Sequence, residues 1–184
     1  MSSFIEVQER RHKQELVERL LVEKPFQLNL EDWDTVYAAL GFITTGGYKY
    51  KSCQLFSCGL FSSGLISPGP HLYARRRAPL SICAEIAVIL LAHFYQRVNV
   101  DNALVTLATF HGAHNFNGEK HGQPYLLTPC DGCVRLLEQV APQAMIVACI
   151  DKEGNLADLD KGRIIKLPQD AIKYFPHPRK HNGE

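Results

Sequence analysis

The sequence predicts a three-layer α/β domain with helices packed on a sheet, and three observations carry that reading. After residue 45, strand-like apolar runs alternate with helix-like runs, the pattern of layered α/β architectures. The length of 184 residues suits one domain. A composition of 46% apolar and 21% charged residues is that of a globular chain rather than a disordered one. The expectation is one domain over residues 1–184, with a helical N-terminal extension over about residues 1–45.

The elements follow in order. Ile5 to Lys24 reads as a charged amphipathic helix, five acids against five bases, whose apolar face becomes continuous only from Leu16 onward. Pro25 ends it. A second helix runs from an Asn29 cap through Leu40, with Gly41 as its stop. Tyr48 to Ile66, rich in Tyr, Phe, Leu, Ser and Cys, suggests strands, and Ser67-Pro-Gly-Pro70 reads as a turn or loop. Ser81 to Tyr95 has the length, and the freedom from Gly and Pro, of a buried helix. Ala103 to Phe110 is a strand, followed by a Gly/His/Asn loop over His111 to Gln123. Pro129 opens a helix to about Val140, and Ala144 to Ile150 is a continuous apolar strand. Asp151 to Gly154 is a hairpin-like turn from which Arg163 to Leu167 pairs back, while Pro176 to Glu184 reads as loose.

Several function classes are disfavoured at this level. Twenty basic against 19 acidic residues leave a formal charge of +1, which argues against an electrostatically driven nucleic-acid or membrane-surface binder. No apolar run approaches the roughly 18–20 residues that span a bilayer. The first residues are charged and show no secretory pattern, so the expectation is cytoplasmic. Six cysteines in a reducing compartment are metal ligands or buried apolar residues rather than disulfides.

Two segments carry chemistry. One is Cys83-Ala84-Glu85, at the start of the buried helix. The other is Pro129-Cys130-Asp131-Gly132-Cys133, at the start of the next helix, with one strand between them. Cys130 and Cys133, three apart, share the face of a first helical turn. Helix N-termini favour anions, so these thiols can ionise near neutral pH and bind a borderline-soft cation. Cys83 completes three ligands, and three ligands with one open position is the pattern of catalytic rather than structural zinc. Glu85 is placed to take and return a proton.

In this ordered pair of motifs the chain resembles the zinc-dependent cytidine deaminases, whose signature has a His or Cys first ligand, a nearby Glu, and P-C-x-x-C. The resemblance covers about Ser81 to Leu167. It implies an α/β/α sandwich around a mixed five-stranded sheet, Zn2+ as cofactor, Cys83, Cys130 and Cys133 as ligands, and Glu85 as the proton shuttle. A Cys first ligand is typical of the small nucleoside deaminases, which form compact oligomers, so a dimer or tetramer acting on a small molecule is implied. The antiparallel return strand at Arg163 to Leu167 and a closing helix over Leu167 to Phe175 also resemble that branch.

Two departures matter. The family holds ribose with an Asn and a Glu on the strand before the zinc helix, yet no Asp, Glu or Asn occurs between Asp34 and Glu85. The Arg that follows the second cysteine of the pair in many relatives is displaced, with Val134 there and Arg135 next. The expected substrate is therefore a modified nucleoside, a base, or an anionic ligand rather than plain cytidine. Arg75, Arg76 and Arg77 are candidates to bind its phosphate or carboxylate, the alternative being a solvated loop or subunit contact. His111 and His114 are candidate substrate contacts from the loop after the central strand. Cys53, Cys58, Cys149 and Trp33 read as core, and His93 as a helix-face residue. The function expected is hydrolytic deamination of a cytidine-like nucleoside, nucleotide or aminopyrimidine base. The alternatives are a structural or inactive zinc-binding relative and a nucleic-acid deaminase.

Overall fold

The computed structural model describes residues 4–45, 55–71, 82–95, 103–112 and 124–176. In chain order these form α1 (Phe4–Val22), α2 (Leu30–Thr45), β1 (Leu55–Phe61), β2 (Ile66–Pro70), α3 (Ala84–Tyr95), β3 (Leu104–His111), β4 (Tyr125–Leu126), α4 (Asp131–Val140), β5 (Met145–Ile150) and β6 (Arg163–Leu167). Short 3-10 turns at Lys24–Phe26 and Gln169–Tyr174 complete the described elements. The sheet order is β2-β1-β3-β5-β6, with β3 and β5 parallel and the other neighbours antiparallel. This is the mixed five-stranded arrangement expected, plus one short strand. The two-residue β4 pairs with the end of β3 as a sixth strand that the sequence reading does not contain.

Alternation along the strands sends side chains into two cores, one on each face of the sheet. On one face, Leu107 and Ile146 pack with Val88 and Ala92 of α3, Leu137 of α4, and Val17 and Leu20 of α1. On the other face, Ala108, Phe110, Val147 and Cys149 meet Val36, Ala39 and Ile43, a helical stripe on α2. The first 45 residues thus supply helices to both faces. Asn29 caps α2 as expected: its Oδ1 accepts from the Asp32 amide at 2.8 Å, and its own amide donates to Asp32 Oδ2 at 3.0 Å. Gly41 does not stop this helix. Burial of Ile43 and stacking of Phe42 on Phe56, centroids 4.6 Å apart, outweigh a glycine cost of about 1 kcal/mol. No helix among the described residues is long and apolar enough to cross a membrane.

Ser67 to Pro70 is strand β2 rather than a loop. It lies at the sheet edge, where proline's missing N–H costs no ladder hydrogen bond. The turn instead falls before it, at Gly64 with φ +81°. β2 lies close against α3: Ser67 Oγ donates to the Val88 carbonyl at 3.2 Å, and a Cβ on Gly69 would fall on the Ala84 carbonyl oxygen and 2.5 Å from the Val88 nitrogen. Since those atoms are backbone, Gly69→Ala is expected to lose about 3 kcal/mol of stability through overpacking. Gly41, helical with nothing near its would-be Cβ, should gain up to about 1 kcal/mol as Gly41→Ala. Urea denaturation of both variants checks the pair.

Candidate metal centre

The topology starts α3 and α4 at the same end of the sheet, beyond the C-terminal end of β3. Cys83 immediately precedes α3, its carbonyl accepting from the Ala87 amide at 3.0 Å. Cys130 is the N-cap of α4, and Cys133 lies buried in that helix's first turn. The approach to Cys130 is fixed by Thr128, whose buried hydroxyl donates to the Phe175 carbonyl at 2.9 Å. The closing 3-10 turn also braces the far end of α4, through Gln169 Nε2 donating to the Ala141 carbonyl at 2.6 Å.

These elements bring the three sulfur atoms within 4.8 Å of one another, with Cys130 and Cys133 Sγ 3.5 Å apart. Three thiolates around one zinc at about 2.3 Å would stand roughly 3.8 Å apart in a tetrahedron, so the donor set fits that ion. Among the described residues the group has three members and no fourth protein ligand. Side-chain hydrogen bonding with Cys133, helped by the backbone of Cys133 and Gly132 and by the Cys83 side chain, lowers the Cys130 thiol to about 5 against the cost of burial. Its hydrogen bond to Cys130, together with burial, pushes Cys133 upward; Cys83 is raised chiefly by burial. Three sulfurs converging at two helix starts are a site prepared for a cation.

Glu85 lies in the first turn of α3, only 6% exposed, and its Oε2 accepts from Cys133 Sγ at 3.7 Å. Burial, with the Cys130 charge adding to it, raises its carboxyl to about 7, against the lowering effect of hydrogen bonds from its own backbone and from Cys133. A carboxyl that exchanges protons near neutrality thus sits beside the three sulfurs.

The superposition on a solved structure decides the fold. The chain aligns with the cytidine deaminase of Bacillus anthracis at TM-score 0.54 and 14% identity, over 78% of this chain and 87% of that one. The fold is that of a cytidine deaminase. The cytidine deaminases of Mycobacterium leprae (TM-score 0.48, 20% identity, 79% and 98% covered) and Mycobacterium tuberculosis (0.46, 21%, 62% and 83%) are more distant in shape. No protein-family model matches the chain, and no curated protein matches it either.

On this cytidine deaminase fold the other candidate residues fall as follows. His111 is not in a loop but ends β3, buried, because its register partner Tyr125 extends the ladder and sets its ring, tilted by 32°, 5.3 Å away. His93 is exposed on α3. Cys58 and Cys149 are buried and free in the second core, their thiols raised by burial to about 12 and about 11. Trp33 packs half-buried against that core and stacks on Tyr37. Arg75, Arg76, Arg77, His114, Cys53, the segment 113–123 and the tail after Pro176 lie outside the described residues. Sequence reasoning missed His71, half-buried directly after β2, its pKa lowered by burial against the raising effect of Cys130. Stepping alternate residues along Ser67, Gly69 and His71 would have found it, had that segment been read as a strand.

Proposed function

We propose that the chain is a zinc-dependent hydrolytic deaminase of a cytidine-like nucleoside, nucleotide or aminopyrimidine base, releasing ammonia. The observation that carries this reading is the buried Glu85 carboxyl beside three converging cysteines, with no fourth protein ligand among the described residues. Cys83, Cys130 and Cys133 hold the zinc, which when bound supplies Lewis acidity that brings a water's pKa from 15.7 toward about 7. Glu85 accepts a proton from the attacking water as its oxygen bonds to the amine-bearing ring carbon. It passes that proton to the adjacent ring nitrogen. The carbon–nitrogen bond then breaks, and Glu85 delivers the water's second proton to the departing amine, so that ring carbonyl and ammonia are the products. A carboxyl poised near 7 can both accept and donate at working pH.

The strand that follows β5 supports a small-molecule substrate over nucleic acid: the chain turns at Gly154 (φ +76°) and returns as antiparallel β6, with no helix between them. Leu90 and Phe94, 38% and 77% exposed on α3, support a homo-oligomer. The five free cysteines described support a reducing, cytoplasmic setting. Ammonia release from zinc-loaded protein, screened over cytidine, deoxycytidine, cytosine, cytidine nucleotides and modified cytidines, tests the reading. At least one compound is expected to turn over, with plain cytidine below a kcat/KM of about 10⁴ M⁻¹s⁻¹. No ammonia from any of them would contradict it.

A further inference from the structure

Three lateral rows of side chains cross β2, β1 and β3 on the face that α3 covers. The first is Ser67, Gly59 and Leu107, and it meets Val88: Ser67 Oγ donates to the Val88 carbonyl, and a Cβ on Gly59 would stand 2.6 Å from a Val88 methyl. The second is Gly69, Ser57 and Thr109, joined by a 2.7 Å hydroxyl–hydroxyl bond from Ser57 to Thr109. It meets Ala84, one turn nearer the start of α3. The third row is His71, Leu55 and His111, because the His71 amide donates to the Leu55 carbonyl at 3.0 Å and Leu55 registers with His111. Successive rows are about 6.8 Å apart on an antiparallel sheet. The step from Gly69 to His71 therefore carries the row past the first residues of α3, to the end where Cys83 and Cys130 converge.

We infer that His71 is a positioning residue of the metal centre, its imidazole N–H directed at the Cys130 side of the sulfur cluster and stabilising it in its ionised, metal-binding form. The inference rests on the zinc reading above and concerns how this chain holds that ion. The chemistry calls for such a donor, since three thiolates around a divalent ion keep one net negative charge in a half-buried site. Arg135, the cation nearest in sequence to the cysteine pair, is exposed on α4, and Val134 packs against the core. His71 is half-buried; burial holds its pKa below the ordinary imidazole value, and the charge of Cys130 works against that lowering. Since His71 is not a member of the ligand group, it acts through the sulfur rather than on the metal. An imidazole carries at least one N–H in either protonation state, so the contact needs no particular charge.

The test compares wild type, His71→Leu and His71→Gln, the last of which keeps an N–H donor. Zinc affinity by chelator competition is expected to fall about 10-fold or more in His71→Leu, the loss typical of a removed outer partner, and to stay close to wild type in His71→Gln. In the cobalt-substituted proteins, the sulfur-to-cobalt charge-transfer band of His71→Leu should shift away from the other two. Wild-type affinity and spectrum in His71→Leu would overturn the inference. If that variant does not fold, the imidazole nitrogen resonances of wild type recorded with and without zinc decide: a His71 shift on loading supports the contact, and an unchanged signal overturns it. Wild type that takes up neither zinc nor cobalt would bring down the zinc reading itself, an outcome visible without any variant.

Discussion

Glu85→Gln is expected to keep the fold and the bound zinc and to lose at least about 10²-fold in turnover, the range for removing a positioned acid/base. Gln is nearly isosteric with Glu, and its amide can offer an oxygen to the Cys133 thiol or an N–H to the metal-bound thiolate, so the packing of the first turn of α3 survives. What it lacks is a site that exchanges a proton near pH 7. Burial is what gives Glu85 that property: a carboxyl in water titrates near 4.5, whereas this one is raised to about 7. Ammonia release and zinc content measured on the same preparation separate the two effects. Undiminished turnover in Glu85→Gln would show that another group moves the proton.

Asp32→Ala should lose about 3–5 kcal/mol of stability, the cost of breaking a buried ion pair from one side. Asp32 is 1% exposed, and its carboxylate gathers α2, β3 and β6. The Thr106 hydroxyl donates to Oδ1 at 2.5 Å, while the Lys166 ammonium at 2.6 Å and the Asn29 amide at 3.0 Å donate to Oδ2. Removing it leaves Lys166, itself 13% exposed, without its carboxylate, and takes from the Asn29 amide its acceptor at the start of α2. Because α2 is the helix packed on that face of the sheet, the loss should appear as a cooperative drop in the urea midpoint. Asp32→Ala combined with Lys166→Met should recover part of it by removing the uncompensated charge. A single variant within about 0.5 kcal/mol of wild type, as for an ordinary surface change, would show that the network is dispensable.

How much of this was legible beforehand depends on how local each signal is. The start of α4 was legible because Pro129 and a Cys pair three residues apart encode a helical first turn on their own. The convergence of Cys83 with that pair followed from the strand between two helix starts, which sets both at one end of a parallel β3/β5 pair. The antiparallel return to β6 was legible from Gly154. Signals whose meaning depends on tertiary position were not. Ser67-Pro-Gly-Pro70 has turn chemistry and becomes a strand only because it occupies a sheet edge against the backbone of α3. Gly41 looks like a stop and is overridden by the packing of Phe42 and Ile43. β4 is two residues long, too short for any period to register, and its pairing draws His111 from an expected loop into the ladder. His71 was invisible for the same reason as β2: a side chain beside the cysteines is recognisable only once strand register is known.

X-ray absorption at the zinc edge tests the central claim most directly, because an open three-sulfur centre is what separates a deaminase from a zinc staple. Protein purified with zinc is predicted to hold one ion per chain, with three sulfur scatterers at about 2.3 Å and one lighter atom at about 2.0 Å. That light-atom shell should change when a substrate-sized aminopyrimidine is added, and the sulfur count should drop to two in Cys83→Ser. Four sulfurs, an unchanging imidazole in the fourth position, or no stoichiometric zinc at all would contradict the account.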